Sequence, residues 1–170
     1  MQSKAAKRSD YLALPHLDRR AFVMASLGAG LAALVASLLL SGIVLGDPSF
    51  LLRVAASLVL GPGVIPATSE GSAAILLVGL LVLLALALAY GLLIVLVVHR
   101  WGLVVGLIGG ALIGAALYVI DIYAVSYFFP WIYPMRNWML LLTHMVLGGT
   151  VGVIYELLDK YDLPFPATQA

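Results

Sequence analysis

Residues 101–138 read WGLVVGLIGGALIGAALYVIDIYAVSYFFPWIYPMRNW, and this stretch decides what kind of molecule the chain is. Gly102, Gly106, Gly110 and Gly114 recur every fourth residue in an apolar run. Residues four apart share one helical face, so these glycines make a groove along it. In lipid such a groove lets a second helix backbone approach closely, because packing replaces the missing hydrophobic drive between helices. The second half of the stretch brings Asp121, five aromatic residues between Tyr123 and Trp131, two prolines and Arg136. That mixture reads as a helix end meeting a membrane surface.

The rest of the composition agrees. Of 170 residues, 64% are hydrophobic and only 10% charged, whereas soluble domains carry about 25% charged residues. Spanning a bilayer takes about 20 apolar residues, and four runs meet that length: about 21–45, 73–98, 102–123 and 138–158. The chain therefore reads as an all-α, multi-pass membrane protein, a four-helix bundle. The net charge of +1 gives no attraction to nucleic acid. With no cysteine, disulfides, thiolate metal sites and cysteine nucleophiles are excluded.

Residues 1–20 read as a basic tail and 159–170 as a second tail. Ala21 to Leu45 is too long for a cleaved signal peptide and reads as a retained first span. Its Gly28-Ala-Gly30-Leu-Ala-Ala33 mimics a dinucleotide-binding fingerprint, but no preceding strand is at hand, so helix packing is the better account. Asp47 as N-cap and Pro48 as first residue open a short helix over 48–60, stopped by Gly61-Pro62-Gly63. At about 20 Å it is too short to cross the hydrocarbon core, so it reads as an interfacial or re-entrant helix. On it Ser49, Arg53 and Ser57 share one face, with Arg53 either in water or holding a lipid phosphate. His99 and Arg100 form a tight turn, which makes the second and third spans antiparallel neighbours.

Orientation follows from the basic residues near span ends. With the N-terminus inside, Lys4, Lys7, Arg8, Arg19, Arg20, Arg100 and Lys160 lie on one side, and only Arg53 and Arg136 on the other. Both termini are then cytoplasmic, in a bacterial inner membrane.

Ionisable groups at membrane depth are costly and therefore candidate sites. Asp121 stands 19 residues beyond Gly102, about 28 Å along the helix and near the outer edge of the core. His144 lies six residues into the fourth span, about 9 Å in. On that span Arg136, Leu140, His144, Gly148, Gly152 and Glu156 form a line at spacing four, whose Gly148 and Gly152 can meet the groove of the third span. Asp121, His144, Arg136, Tyr118 and Tyr123 are thus a candidate polar cluster: either a proton or ion site, or a clamp between two helix ends. Glu156 is expected to pair with Lys160 at spacing four. Phe128, Phe129, Trp131, Tyr133 and Trp138 read as an interfacial aromatic belt. No serine has a histidine and a carboxylate placed for a triad, and His16, His99 and His144 are too scattered for a metal. An enzyme is not expected, nor is a cofactor.

Tyr118, Asp121-Ile122-Tyr123, Phe129-Pro130-Trp131, Arg136-Asn137-Trp138, His144, Gly148 and Tyr155 resemble a family of small four-helix bacterial membrane proteins often catalogued under the label "sodium:proline symporter". The Gly61-Pro62-Gly63-Val64 and Pro66 loop is similar too, so the likeness runs from about residue 50 onward. Asp121 departs from the family's usual Asn, and the early second span lacks a histidine common there. The resemblance implies the four-helix fold and carries no catalytic or transport residues. A symporter of the labelled kind holds its substrate between inverted repeats with broken helices near mid-membrane, which four unbroken spans do not supply alone. The expected function is a non-catalytic accessory or assembly subunit of an inner-membrane complex, a respiratory oxidase being one candidate. The alternative is a small oligomeric proton- or ion-coupled transporter or channel. Lipid, another integral subunit and a second copy are the expected partners.

Overall fold

The computed structural model describes residues 17–66, 73–98 and 102–159. The readings on the remaining residues (the far N-terminal tail, the His99–Arg100 turn, the Glu156–Lys160 pair and the C-terminal tail) lie outside the described residues. Helix α1 runs Arg19–Leu45, α2 Phe50–Leu60, α3 Ala73–Val98, α4 Leu103–Tyr123 and α5 Trp138–Leu158. Short 3-10 turns cover Pro62–Val64, Val125–Tyr127 and Pro130–Met135. Among the described residues no strand occurs, and the four long helices are each long and apolar enough to cross a membrane.

The helix ends show local chemistry at work. Asp18 caps α1, its carboxylate accepting from Arg20 N at 2.9 Å and Ala21 N at 3.0 Å, so the helix takes in the last two residues assigned to the tail. Gly46 ends α1 in the left-handed conformation at φ 69°, which suits a residue without Cβ. Asn137 caps α5 by accepting from Leu140 N at 2.7 Å, and its amide donates to Met135 O at 2.8 Å.

The glycine face is used inside the bundle. A Cβ on Gly106 would stand 3.0 Å from Gly152 O, and one on Gly148 would collide with the Gly110 carbonyl. Cβ atoms on Gly110, Gly114 and Gly152 would each collide with a backbone carbonyl of the facing helix. Helices α4 and α5 therefore touch backbone to backbone. Gly102 does not join them: it precedes α4 at φ 84° with open space where a Cβ would go. We expect Gly110→Ala to force the helices apart at a cost of about 1–3 kcal/mol. Gly109→Ala, whose Cβ would meet Val98 at an ordinary 3.6 Å, should be neutral or slightly stabilising. Thermal unfolding in one detergent reads both.

Small residues position α1 and α3 as well. Gly91 lies on Ser26, Gly30 on Ala87 and Leu84, and Gly28 on Ile154. The dinucleotide look-alike is thus a packing surface for α3 and α5. One cluster of Ala25, Ala29, Ala33, Ala87, Ile94, Val151 and Tyr155 forms the core of the bundle. Val98 reaches Gly109, so α3 and α4 meet just beyond the described ends of their turn.

Helix α2 and the 125–135 segment close one end of the bundle, which we call the roof. Val54, Ile122 and Ile132 are its buried centre, with Phe129, Trp131 and Leu58 packed around them. Gly79 of α3 lets the Leu52 carbonyl of α2 rest against it. The polar face of α2, expected to meet water or headgroups, turns inward instead. Arg53 is 4% exposed. It forms an ion pair with Asp47, donates from Nε to Ile65 O at 3.0 Å, and bonds Ser49 Oγ. Ser57 Oγ accepts from Trp131 Nε1 at 3.1 Å and donates to Val54 O. Asp47 is therefore not the N-cap of a helix at Pro48. Its Oδ1 accepts from Ser49 N at 3.1 Å, and it anchors Arg53 across the turn. Removing the indole donor in Trp131→Phe should cost about 1 kcal/mol, read by thermal unfolding.

The aromatic segment divides between two environments. Phe128, Tyr133 and Trp138 are exposed, with Phe128 packed on Tyr127. Phe129 and Trp131 stack edge to face at 5.5 Å and belong to the roof core.

Candidate functional site

Under the roof, three helices bring one ionisable group each to a common point. In a helix every Cα–Cβ bond tilts toward the N-terminus. Helices α4 and α5 are antiparallel, so Asp121 leans away from the roof while His144 leans toward it. His144 O lies over Gly114, seven residues before Asp121, about 10 Å along α4. The two side chains close that gap: His144 Nε2 stands 2.9 Å from Asp121 Oδ2. Helix α3 starts at the roof, so Tyr90 also leans roofward, and its hydroxyl donates to Asp121 Oδ1.

The other imidazole nitrogen settles where a proton must sit. His144 Nδ1 is 2.8 Å from Leu140 O, and a carbonyl oxygen can only accept, so Nδ1 carries a hydrogen. A neutral ring with that tautomer presents a bare lone pair at Nε2. Facing a carboxylate oxygen at hydrogen-bond distance, it needs one more proton between them. The pair holds this proton as imidazolium–carboxylate or as imidazole–carboxylic acid, and it belongs to both groups together. The side chains of His144 and Asp121 are 13% and 17% exposed. Asp121 is thus more enclosed than its place near the end of α4 suggests, because the roof extends beyond it.

The tyrosines flank the imidazole. Tyr118 meets it edge-on at 5.8 Å, and Tyr90 is tilted against it at 6.2 Å between ring centroids. Of the sequence-predicted cluster, the fold brings together Asp121, His144 and Tyr118. Arg136 and Tyr123 stand elsewhere, on the exposed side of the roof. The guanidinium of Arg136 lies 4.5 Å over the ring of Tyr133, which meets Tyr123 at 5.9 Å. Tyr90 is the member that sequence reasoning missed. Its signal was present, since it is the sole polar side chain of the 26-residue α3.

These groups face a cavity of about 150 Å³ bounded by all five helices. Its walls are apolar apart from Asp121, His144, Tyr90, Ser37 and Thr143. Ser37 and Thr143 donate to carbonyls of their own helices, Leu34 O at 2.8 Å and Met139 O at 2.9 Å. That leaves the Tyr90–Asp121–His144 group as the part of the wall able to exchange a proton or bind a polar atom. Among the described residues no group of three or more histidines and carboxylates is placed to hold a metal ion.

Fold and site together define an all-helical, multi-pass membrane protein with a hydrogen-bonded acid–imidazole pair beside an apolar cavity. Comparison with family models, with curated proteins and with solved structures gives no match.

Proposed function

We propose that this protein is a small, non-enzymatic transporter that couples the proton of the Asp121–His144 pair to a solute in the cavity beneath the roof. One observation supports this reading above the rest: with Nδ1 bonded to Leu140 O, the hydrogen-bonded Asp121–His144 pair shares a proton beside a mostly apolar cavity. Ionisable groups kept at such a place are characteristic of proton relays and solute pathways. The setting that fits is a bacterial inner membrane with both termini cytoplasmic, from the bias of Lys and Arg toward one side. Four helices suit a transporter that works as an oligomer.

The test is a proteoliposome enclosing a pH-sensitive dye, challenged with gradients of small amphiphiles. Wild-type protein should move protons with at least one of them, and Asp121→Asn combined with His144→Ala should abolish that movement. If the double variant moves protons as well as wild type, the transporter reading fails.

A second reading is a non-catalytic accessory or assembly subunit of an inner-membrane complex such as a respiratory oxidase. Leu31, Val35 and Leu39, spaced by four on α1, are each more than half exposed and form an aliphatic ridge suited to a larger subunit or to lipid. The glycine faces do not serve this role, since α4 and α5 spend them on each other. Mild-detergent purification from native membranes separates the readings. Stoichiometric recovery with a larger enzyme favours the subunit, and recovery alone favours the transporter.

A further inference from the structure

Resting on the reading of Asp121–His144 as a working proton site, we propose that the cavity takes a small lipophilic amine as its ammonium ion. The cation has at least two N–H bonds and a body about the size of a benzene ring, and it replaces the proton shared by the pair.

The argument starts from lone pairs. With Nδ1 committed to Leu140 O, departure of the shared proton leaves Nε2 and Oδ2 facing each other as two acceptors. Once the two side chains part from their 2.9 Å contact to admit it, an ammonium ion with two N–H bonds satisfies both, one to the imidazole and one to the carboxylate. A quaternary ammonium has no N–H and cannot bridge them.

Charge points the same way. The pair with its proton is neutral, and without it carries −1 in apolar surroundings, where an unpaired charge is costly. No Lys or Arg lines the cavity. The two described arginines of the roof are spent elsewhere, Arg53 on Asp47 and Arg136 over Tyr133. Taking the packed elements in turn, α3 offers Tyr90, α4 Asp121 and Tyr118, and α5 His144. The lining residues of α1 and α2 include no titratable group. A cation entering as the proton leaves restores neutrality, with charge balanced one for one and no covalent step.

The walls say which cation. A bare inorganic ion wants about six oxygen ligands, but the hydroxyls of Ser37 and Thr143 are turned to their own backbones and the remaining wall is aliphatic. An organic ammonium needs only the polar end and lays its hydrocarbon on Val54, Leu83 and Leu147. An apolar protein cavity of about 150 Å³ is large enough to hold benzene. The Tyr90 ring on the wall adds a cation–π surface.

The test uses the full chain in lipid nanodiscs and benzylamine as probe, with empty nanodiscs as the blank. Calorimetry in two buffers of different ionisation enthalpy should show binding with close to one proton released per benzylamine. Toluene and benzyltrimethylammonium should bind at least about tenfold more weakly, a difference of about 1.4 kcal/mol. Absence of benzylamine binding would overturn the proposal. So would equal binding of toluene, which shows an apolar cavity only, or equal binding of benzyltrimethylammonium, which shows no bridging. Binding without proton release would overturn it too. The ¹⁵N signals of the His144 ring, followed over about pH 4 to 10, keep the two levels apart. If they respond to pH while benzylamine releases no proton, this inference falls alone. If they do not respond, the proton-site reading falls with it.

Discussion

Asp121→Asn should abolish proton-coupled movement, by about a hundredfold or more, while leaving the fold almost intact. Asparagine keeps the shape of aspartate, and its amide can donate to His144 Nε2 as its carbonyl accepts from the Tyr90 hydroxyl. Every hydrogen bond of the group then survives, and the change in stability should stay within about 1 kcal/mol. What disappears is the second acceptor: the imidazole becomes a plain neutral ring with no proton to share. Asp121→Ala behaves differently, stranding two partly buried partners at about 1–3 kcal/mol each. His144→Ala leaves the carboxylate with the Tyr90 hydroxyl as its hydrogen-bond donor, at a cost approaching that of breaking a buried pair, about 3 kcal/mol. A clamp between helix ends predicts the same order in stability but a different outcome in function. It makes Asp121→Asn functionally silent and Asp121→Ala harmful only through stability. Flux in proteoliposomes set beside thermal unfolding of the same three variants decides between them.

The bundle was largely legible before any coordinates. The apolar runs at about 21–45, 73–98, 102–123 and 138–158 fall within two residues of the observed ends of the long helices, because hydropathy over about 20 residues is a strong signal. Gly106, Gly110 and Gly114 also announced their face, since spacing four has one physical reading on a helix. Gly102 continues the series on paper, but its φ of 84° puts it outside the helix, and periodicity alone does not report a backbone angle. The site was half visible. Asp121 and His144 stand out as charges in apolar spans. Tyr90 did not, because α3 is aliphatic all round and no period says which side meets α4. Arg53 misled for a related reason: a polar face on a short helix reads as outward until the partners that turn it inward, Asp47 and the Ile65 carbonyl, are in place. Tyr90 meets a partner 31 residues away, whereas Arg53 turns inward through a fold of the chain that brings back Asp47 and Ile65, only 6 and 12 residues away.

Arg53→Met should loosen the roof and, with it, the ceiling of the cavity. The guanidinium is 4% exposed and joins three pieces of chain: Asp47 in the α1–α2 turn, Ser49 before α2, and Ile65 beyond it. Methionine fills much of the volume but leaves the Ile65 carbonyl without its Nε donor and Asp47 with its Ser49 bonds but no cation. The Asp47 carboxylate left behind is 26% exposed and keeps its bonds from Ser49, so the cost should fall below the roughly 3–5 kcal/mol of a fully buried pair. Asp47→Asn removes the counter-charge of the buried Arg53 cation and should cost at least as much, although Arg53 keeps Ser49 and Ile65. The double variant should fall well short of the sum of the singles, which identifies a shared interaction. Acid offers a second handle. The Arg53 hydrogen bonds hold the Asp47 carboxyl below the usual carboxylate range. A carboxyl depressed in the folded state stabilises the fold above its unfolded value, and that stabilisation is lost as pH falls through the folded one. Wild-type roof stability should therefore hold down to about pH 4 and decline below it, whereas Asp47→Asn should show a flatter acid limb. Trp131 lies in the roof, bonded to Ser57, so with Trp101 and Trp138 replaced by phenylalanine its fluorescence reports the opening. If Arg53→Met leaves that signal and the unfolding temperature unchanged, the ion pair does not hold the roof. If the roof opens while the long helices persist, α2 is a separately melting part of the fold, and the chamber around Asp121 and His144 depends on Arg53 for its ceiling.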